Sequence, residues 1–519
     1  MALHTSAIVH RVLYVSRGFA KLKNYRGFAK IKKYTNTARP HFPSMPDVAI
    51  IGGGLAGLAA ARRLRHAGIN PIVLEASGRL GGRIRQGSAA PDGDTYEQGG
   101  EFFHGAEASA HALARAAGLQ TTRVFTAAHG DGGPDNAPAP DGGHALYWLG
   151  QEGPCLRYDS SHAGFRRLNE LLGGLSELAV PADDRRSLEE YLREMAPAEM
   201  LPLATASYSN TLGAGSALGR LPLAAVAALE RRWLADGEGD FRLCGGALSQ
   251  LCAWMAEGVD ARMHWPVTRI ERDGSECVGT GPILTVVGEH GRRILVDAVI
   301  VAVPLPLLTR EPCVGFSPPL PAAKAAAMHS IVMGAAVKIC LVFAGPGRPW
   351  HEDPGAPLHA LICAGWPVPE VWVRSRHGGL DGTVVHGLAT GSFADALGVT
   401  EDAQVVDGFL GQLAAVLPGS SLAALRGALR HASVTDWAKE PYIRGGYSTL
   451  SAEETPGARA AYRQPEWGGS LSFAGEATQD AMMTMSAAID SGRRAATEVL
   501  AFLSAHSAPP HNQRPASHM

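Results

Sequence analysis

Unbroken apolar runs and helically spaced ones take turns along the chain, and their order predicts parallel strands joined by crossover helices. Val48-Ala49-Ile50-Ile51 has no polar interruption, as a strand covered on both faces requires. A glycine-rich turn separates it from Leu58 to Ala67, which is spaced as a helix, and Asn70 to Leu74 reads as the next strand. Much later, the segment through Trp254 predicts a helix, and Val267-Thr268-Arg269-Ile270 and Ile294 to Val303 predict strands. Leu471-Ser472-Phe473-Ala474 gives another strand, and a helix is expected from near Thr484. In between, Gly150 to about Arg231 carries leucine, alanine and arginine at helical spacing, which predicts a helical insertion. Pieces of one α/β unit thus recur far apart in the chain.

The turn after the first strand is Gly52-Gly53-Gly54-Leu55-Ala56-Gly57. Gly52 permits the tight strand-to-helix turn, Gly54 lets backbone amides approach a pyrophosphate, and Gly57 lets the helix lie against the strand. Phosphate then sits on the positive helix end. Glu75 closes the second strand, where its carboxylate can accept both hydroxyls of an unphosphorylated ribose. A bound adenine dinucleotide follows, with NAD and FAD not separated by this motif alone.

The next segment, Glu75-Ala76-Ser77-Gly78-Arg79-Leu80-Gly81-Gly82-Arg83, resembles the signature that follows the Rossmann unit in the flavin amine oxidase superfamily, which points to FAD. Gly81 and Gly82 let the chain run close under the dinucleotide, and Arg79 and Arg83 are candidates to pair with its pyrophosphate. Leu243-Cys244-Gly245-Gly246-Ala247-Leu248 with the following helix and strand resembles the family segment that touches adenine, which implies backbone contacts from Val267. Leu471 to Thr478 with Thr484 to Arg494 resembles the closing FAD motif of polyamine and monoamine oxidases. That resemblance implies Glu476 beside the ribityl and pyrophosphate, and Thr484 and Met485 at a helix start whose amides face the flavin and stabilise its reduced anion.

Nearest to these motifs are the polyamine oxidases. The expected fold is α/β, a discontinuous Rossmann-type FAD-binding domain (47–130, 235–305 and 432–505) interleaved with a mixed α+β substrate domain (131–234 and 306–431). Gly334 to Phe343 resembles the strand whose single lysine holds a water against the reactive flavin nitrogen, which makes Lys338 the discriminating residue for the oxidase branch. A lysine in an apolar strand needs a partner. Glu101-Phe102-Phe103-His104-Gly105 matches the stretch in which polyamine oxidases carry a histidine facing the substrate tunnel, so His104 is a candidate to position a secondary amine. Phe102 replaces the usual tryptophan, and Glu101 reads as a solvated loop acid, with an amine anchor as its alternative. Tyr447 stands where monoamine oxidases carry the cysteine that bonds FAD, so the cofactor is expected to be non-covalent, and its ring suits one wall of an aromatic cage. The opposite wall falls on Met482-Met483, which puts the usual substrate in doubt.

The expected activity is hydride transfer from the carbon beside an amine to the flavin, giving an imine that hydrolyses to aldehyde and shorter amine. Dioxygen then reoxidises the flavin and hydrogen peroxide is released. An alkylammonium loses its proton near roughly pH 10, so activity should rise toward alkaline pH. An FAD-linked desaturase or dehydrogenase of the same superfamily is the nearest alternative, and a flavin-binding interaction protein without turnover the more distant one. A chromatin demethylase is disfavoured, since neither a long helical tower nor a helical domain ahead of Asp47 is visible in the sequence.

Charge changes the picture at one end only. Nine Lys or Arg and no Asp or Glu fall within 1–46, leaving 38 basic against 49 acidic residues, net −11, in the rest. The body is a poor match for nucleic acid, and its field favours a cationic amine. The basic, hydroxylated, acid-free segment 1–46 resembles an organelle transit peptide, mitochondrial or plastid. The tail 506–519 is polar, reads as disordered, and ends in Ser517-His518-Met519, which loosely resembles a peroxisomal address; a cytoplasmic location is the remaining reading. Seven scattered cysteines with no C-x-x-C pair give no zinc or other metal site, and no apolar run reaches the roughly 20 residues of a membrane span.

Overall fold

Val48–Ile51 is the middle strand of a five-stranded sheet in which every pairing is parallel. Pro71–Leu74 and Asp260–Arg262 extend it on one side, Ala298–Val301 and Leu471–Phe473 on the other. Strands are added outward in both directions from Val48–Ile51, so its carboxyl end and that of Ala298–Val301 flank the crevice in which open α/β sheets bind ligands. This is the Rossmann arrangement the apolar runs predicted. The structure is a computed structural model and describes residues 47–89, 94–124, 144–148, 155–157, 163–181, 183–237, 239–272, 284–344, 358–375, 382–417 and 419–506. The presequence-like segment 1–46, the loop 130–143 and the terminal tripeptide lie outside the described residues.

One helix packs on the turn after the first strand, and a second packs on that helix, both at very short range. An ideal Cβ on Gly57, in the helix Leu55–His66, would lie 2.0 Å from the Gly52 carbonyl oxygen. One on Gly492, in Met485–His506, would lie 2.0 Å from the Ala56 oxygen. Both neighbours are backbone and cannot swing aside. Gly57→Val is therefore expected to destabilise the protein by at least about 3 kcal/mol and to yield material depleted of cofactor. Thermal melting and the bound-flavin absorbance of the purified variant check this.

The run predicted as one strand over Ile294 to Val303 is two. Arg293–Val296 pairs antiparallel with Leu284–Gly288, whereas Ala298–Val301 enters the parallel sheet. Exposure alternates in the first and vanishes in the second, which is the burial pattern of a one-face strand followed by a two-face strand.

The second domain is built on a seven-stranded sheet in the order Leu429–Asp436, Ala336–Ala344, Gly382–Thr390, Glu370–Ser375, Leu358–Cys363, His144–Trp148, Cys155–Arg157. Its last two strands come from before residue 235, so the two domains interleave as expected. Leu429–Asp436 lies wholly in this sheet, which moves the return to the dinucleotide domain from 432 to beyond Asp436. Helices Ala163–Gly173, Leu188–Met195 and Leu223–Leu234 form the expected insertion and pack around Leu168, Leu192 and Val226 against Ala360 and Ile362 of the sheet.

Along Ala336–Ala344 the two faces have different partners. Val337, Ile339, Leu341 and Phe343 pack with Val405, Phe409 and Leu413 of the helix Asp402–Val416. Lys338 and Cys340 point the other way, toward the dinucleotide domain. Lys338 pairs across to Leu388, which pairs across to Glu370; Cys340 pairs to His386, which pairs to Trp372. Directly opposed residues share a face, so these six side chains make one patch.

Candidate active site

A cavity of about 460 Å³ runs from the crevice of the parallel sheet to that patch. At the crevice end, the helix Leu55–His66 begins on Gly54 without a side-chain cap or an acidic residue in its first turn, and an ideal Cβ on Gly54 would meet open space. Uncapped amides at a helix start, opening on a cavity, fit a phosphate group. Glu75 is buried yet lines the cavity, its carboxylate fixed by Gly53 N at 2.7 Å, Ser77 N at 2.9 Å and Ser77 Oγ at 2.7 Å. It keeps lone pairs for hydroxyl donors. Val267 lines the same end. These residues fit an adenine dinucleotide.

Of the two arginines assigned to pyrophosphate, Arg83 lines the cavity and Arg79 does not. The Arg79 guanidinium is spent on the carbonyls of Gly82 at 2.7 Å, Ile84 at 2.9 Å and Leu80 at 3.4 Å, so it braces the Gly81-Gly82 turn from behind. Arg83 donates to Glu476 Oε1 at 2.9 Å and Gly446 O at 2.7 Å. Glu476 in turn accepts from Ser448 N, Ser448 Oγ and Met483 N. Burial alone would raise its carboxyl, but the Arg83 guanidinium and the Ser448 hydroxyl hold it below the usual carboxylate range. The acid thus ties three cavity-lining loops together. Thr484 caps the helix that follows, its Oγ1 accepting from Ala487 N at 3.0 Å, and both Thr484 and Met485 line the cavity.

At the other end sits Lys338, 3% exposed. Its Nζ donates to Gly99 O at 2.9 Å and Glu101 Oε2 at 2.9 Å, and lies 5.1 Å from the centre of the Trp372 ring. The expectation of a solvated Glu101 is overturned: the acid is buried and is the partner that Lys338 needed. Trp372 Nε1 donates to the same oxygen at 3.0 Å, and His386 Nδ1 lies 3.7 Å away. Burial opposes ionisation of Glu101, yet its neighbours, Lys338 among them, hold it far below the carboxylate range. Burial pushes the His386 imidazole down to about 3, so it is neutral at physiological pH.

The remaining walls come from several elements. His104 lines the cavity with its Nδ1 2.7 Å from Asp240 Oδ1, a contact that orients the ring. The Tyr447 phenol donates to Thr211 O at 3.0 Å, and burial raises it, so it stays neutral. Phe102, Trp233, Trp372 and Met483 also line the cavity. Only the second methionine takes part; Met482 is buried in the core of the helical insertion. Thr211 Oγ1 also donates to Glu370, and burial pushes the Glu370 carboxyl up to about 8 against the hydrogen bonds from Thr211 and Asn210. An acid at the cavity wall is thus held neutral until a cation reaches it. Sequence reasoning passed over Glu370, although Val368-Pro369-Glu370-Val371-Trp372-Val373 carries the signal that exposed Lys338, one charge in an apolar strand. Asp240, Thr211 and His386 carry no comparable signal.

Among the described residues no cluster of His, Cys, Asp or Glu is placed to hold a metal ion, and no helix is long and apolar enough to cross a membrane. Fold and cavity together fit the class of two-domain dinucleotide-binding proteins, with residues of the second domain lining the end of the cavity away from the crevice. A family model described as flavin containing amine oxidoreductase matches residues 55–500, and the chain belongs to that family. Membership implies a flavin cofactor and oxidoreductase chemistry. Lysine-specific histone demethylase 1B of Mus musculus is 26% identical over 472 residues, 88% of this chain and 53% of the relative. Against such demethylases the chain spans about half of their length. Human peroxisomal N(1)-acetyl-spermine/spermidine oxidase is 28% identical over 518 residues, 89% of this chain and 96% of the relative. In fold, the chain is similar to a wild-type putrescine oxidase bound to putrescine, with TM-score 0.71, 23% identity, and 88% and 99% of the two chains covered.

Proposed function

We propose that this protein is an FAD-dependent oxidase of alkylamines that carry a second amino group, using dioxygen as acceptor and releasing aldehyde and hydrogen peroxide. The observation that carries the reading is the placement of Lys338 and Glu370 on one face of one sheet, two strands apart with Leu388 between them. Two inter-strand spacings put these backbones about 10 Å apart, room for an alkyl chain lying along the patch between Tyr447 and Trp372.

Bound FAD supplies the two-electron acceptor, held non-covalently with Tyr447 in place of a cysteine. The protein's residues do the rest. Glu370 gives up its proton and pairs with the distal ammonium. Aromatic faces of Tyr447 and Trp372 accept the alkyl chain and disfavour bulk water. His104, oriented by Asp240, offers a ring nitrogen to the amine that must be uncharged when it reacts. Lys338 presents a donor where charge develops as dioxygen is reduced.

Anaerobic mixing with putrescine, spermidine, spermine and their acetylated forms tests the reading. The flavin absorbance is expected to bleach with at least one of them and to recover on admitting air, with peroxide formed. Acid precipitation should leave the yellow flavin in the supernatant. Bleaching that air does not reverse would favour a dehydrogenase, and no bleaching with any amine would end the proposal.

A further inference from the structure

We propose that Glu101 is the positioning residue of Lys338: as a buried counter-ion it fixes the ammonium and, with Gly99 O, takes two of its three donors, so that a single N–H is left for the cavity. This rests on the reading of Lys338 as the residue that assists flavin reoxidation. Four observations converge on it. Glu101 Oε2 and Lys338 Nζ are 2.9 Å apart, with both side chains 3% exposed. Trp372 Nε1 donates to the same Oε2, locking the carboxylate from the side away from Gly99. The second oxygen, Oε1, is buried without a hydrogen-bond partner among the described residues, so the hydrogen bonds of the carboxylate run through Oε2. Lys338 Nζ has three donors, and Gly99 O accepts one while Glu101 accepts another.

The pair is enclosed by other titratable groups. Glu97 lies four residues earlier, at the end of the strand Asp94–Glu97, and burial pushes its carboxyl up to about 7 against the Leu248 amide. Cys340 and His386 face the pair from the sheet, and Arg374 acts on Glu101 from the Glu370 strand. Burial pushes the Cys340 thiol up to about 12 and the His386 imidazole down to about 3, so neither changes charge near neutrality. Glu97 does, and the Glu101 charge is one of the causes that raise it.

Glu101→Gln keeps the shape and removes the charge. Without that charge the Lys338 ammonium loses the partner that fixes it at the cavity wall. Reoxidation of the substrate-reduced variant by dioxygen is therefore expected to slow by about tenfold or more, with flavin reduction by amine changed by less than about threefold. A merely structural acid would lower stability without separating the two half-reactions, and a variant with the wild-type reoxidation rate overturns the proposal.

A second readout needs no turnover. In ligand-free protein, Glu101→Gln and Lys338→Met should each lower the melting temperature, and the double variant should lower it by less than the two shifts combined. Additive shifts would overturn the pairing. If Glu101→Gln alone gives no folded protein, recovery of folded protein in the double variant supports the pairing and failure to recover it counts against. Wild-type reoxidation by Lys338→Met together with a strong melting coupling would instead sink the reading of Lys338 and leave the ion pair standing.

Discussion

Lys338→Met is expected to slow reoxidation of the reduced enzyme by dioxygen by about 10²-fold or more, with the rate of flavin reduction by amine changed by less than about threefold. The split follows from where the ammonium sits. It lies on the cavity wall at the far end from the dinucleotide crevice, desolvated and held by Gly99 O and Glu101. A preorganised cationic donor in such a place acts on the charge that forms when dioxygen takes its first electron, and losing one such donor typically costs about 10²–10³ in rate. Methionine matches the length of the lysine and fills its volume, but leaves Glu101 buried without its cation, which destabilises by about 3–5 kcal/mol. Rapid mixing of the anaerobically reduced variant with oxygenated buffer, on material shown to be folded and flavin-loaded, gives the number. Equal slowing of both half-reactions would mean that the substitution disturbs the cavity as a whole, and an unchanged oxidative rate would remove Lys338 from the chemistry.

The parts of this molecule that depend on short-range pattern were legible in the chain. Strands buried on both faces leave uninterrupted runs such as Val48 to Ile51, and a helix packed hard on a strand leaves a glycine at the contact, as Gly57 does. What could not be read depends on partners far away. Glu101 looks like a loop acid because its neighbours are Gly99, Gly100 and Phe102, while its partner is 237 positions on. Arg79 and Arg83 flank the same glycine pair, and only the path of the turn decides that one braces it and the other reaches the cavity. The strand break at Asp297 marks a change of sheet, which no local propensity encodes. Glu370 was in principle visible, but a lone acid in a strand says nothing about which side of a sheet it faces until Leu388 and Lys338 are placed beside it.

Glu370→Gln is expected to lower kcat/KM for a diamine by about 10²-fold while changing that for a monoamine of matched length by less than about threefold. Truncating one member of a desolvated charge pair costs about 2–5 kcal/mol, and tenfold corresponds to about 1.4 kcal/mol, so the loss is set by the second ammonium alone. The pH dependence separates this from a packing effect. In the ligand-free cavity Glu370 holds its proton up to about pH 8. Binding a second ammonium below that pH requires the carboxyl to release it, while the amine itself, with a pKa near roughly 10, stays charged throughout. The ratio of diamine to monoamine kcat/KM should therefore climb with pH up to about 8 and level off above, because the share of the rise due to the reacting free base cancels in the ratio. In Glu370→Gln the ratio should be low and flat. The same substitution removes an acid that the folded state keeps protonated and the unfolded state does not, so it should stabilise ligand-free protein at pH values above about 4.5, increasingly up to about 8. A diamine preference that survives the substitution, with its slope intact, would place recognition of the second amino group elsewhere in the cavity.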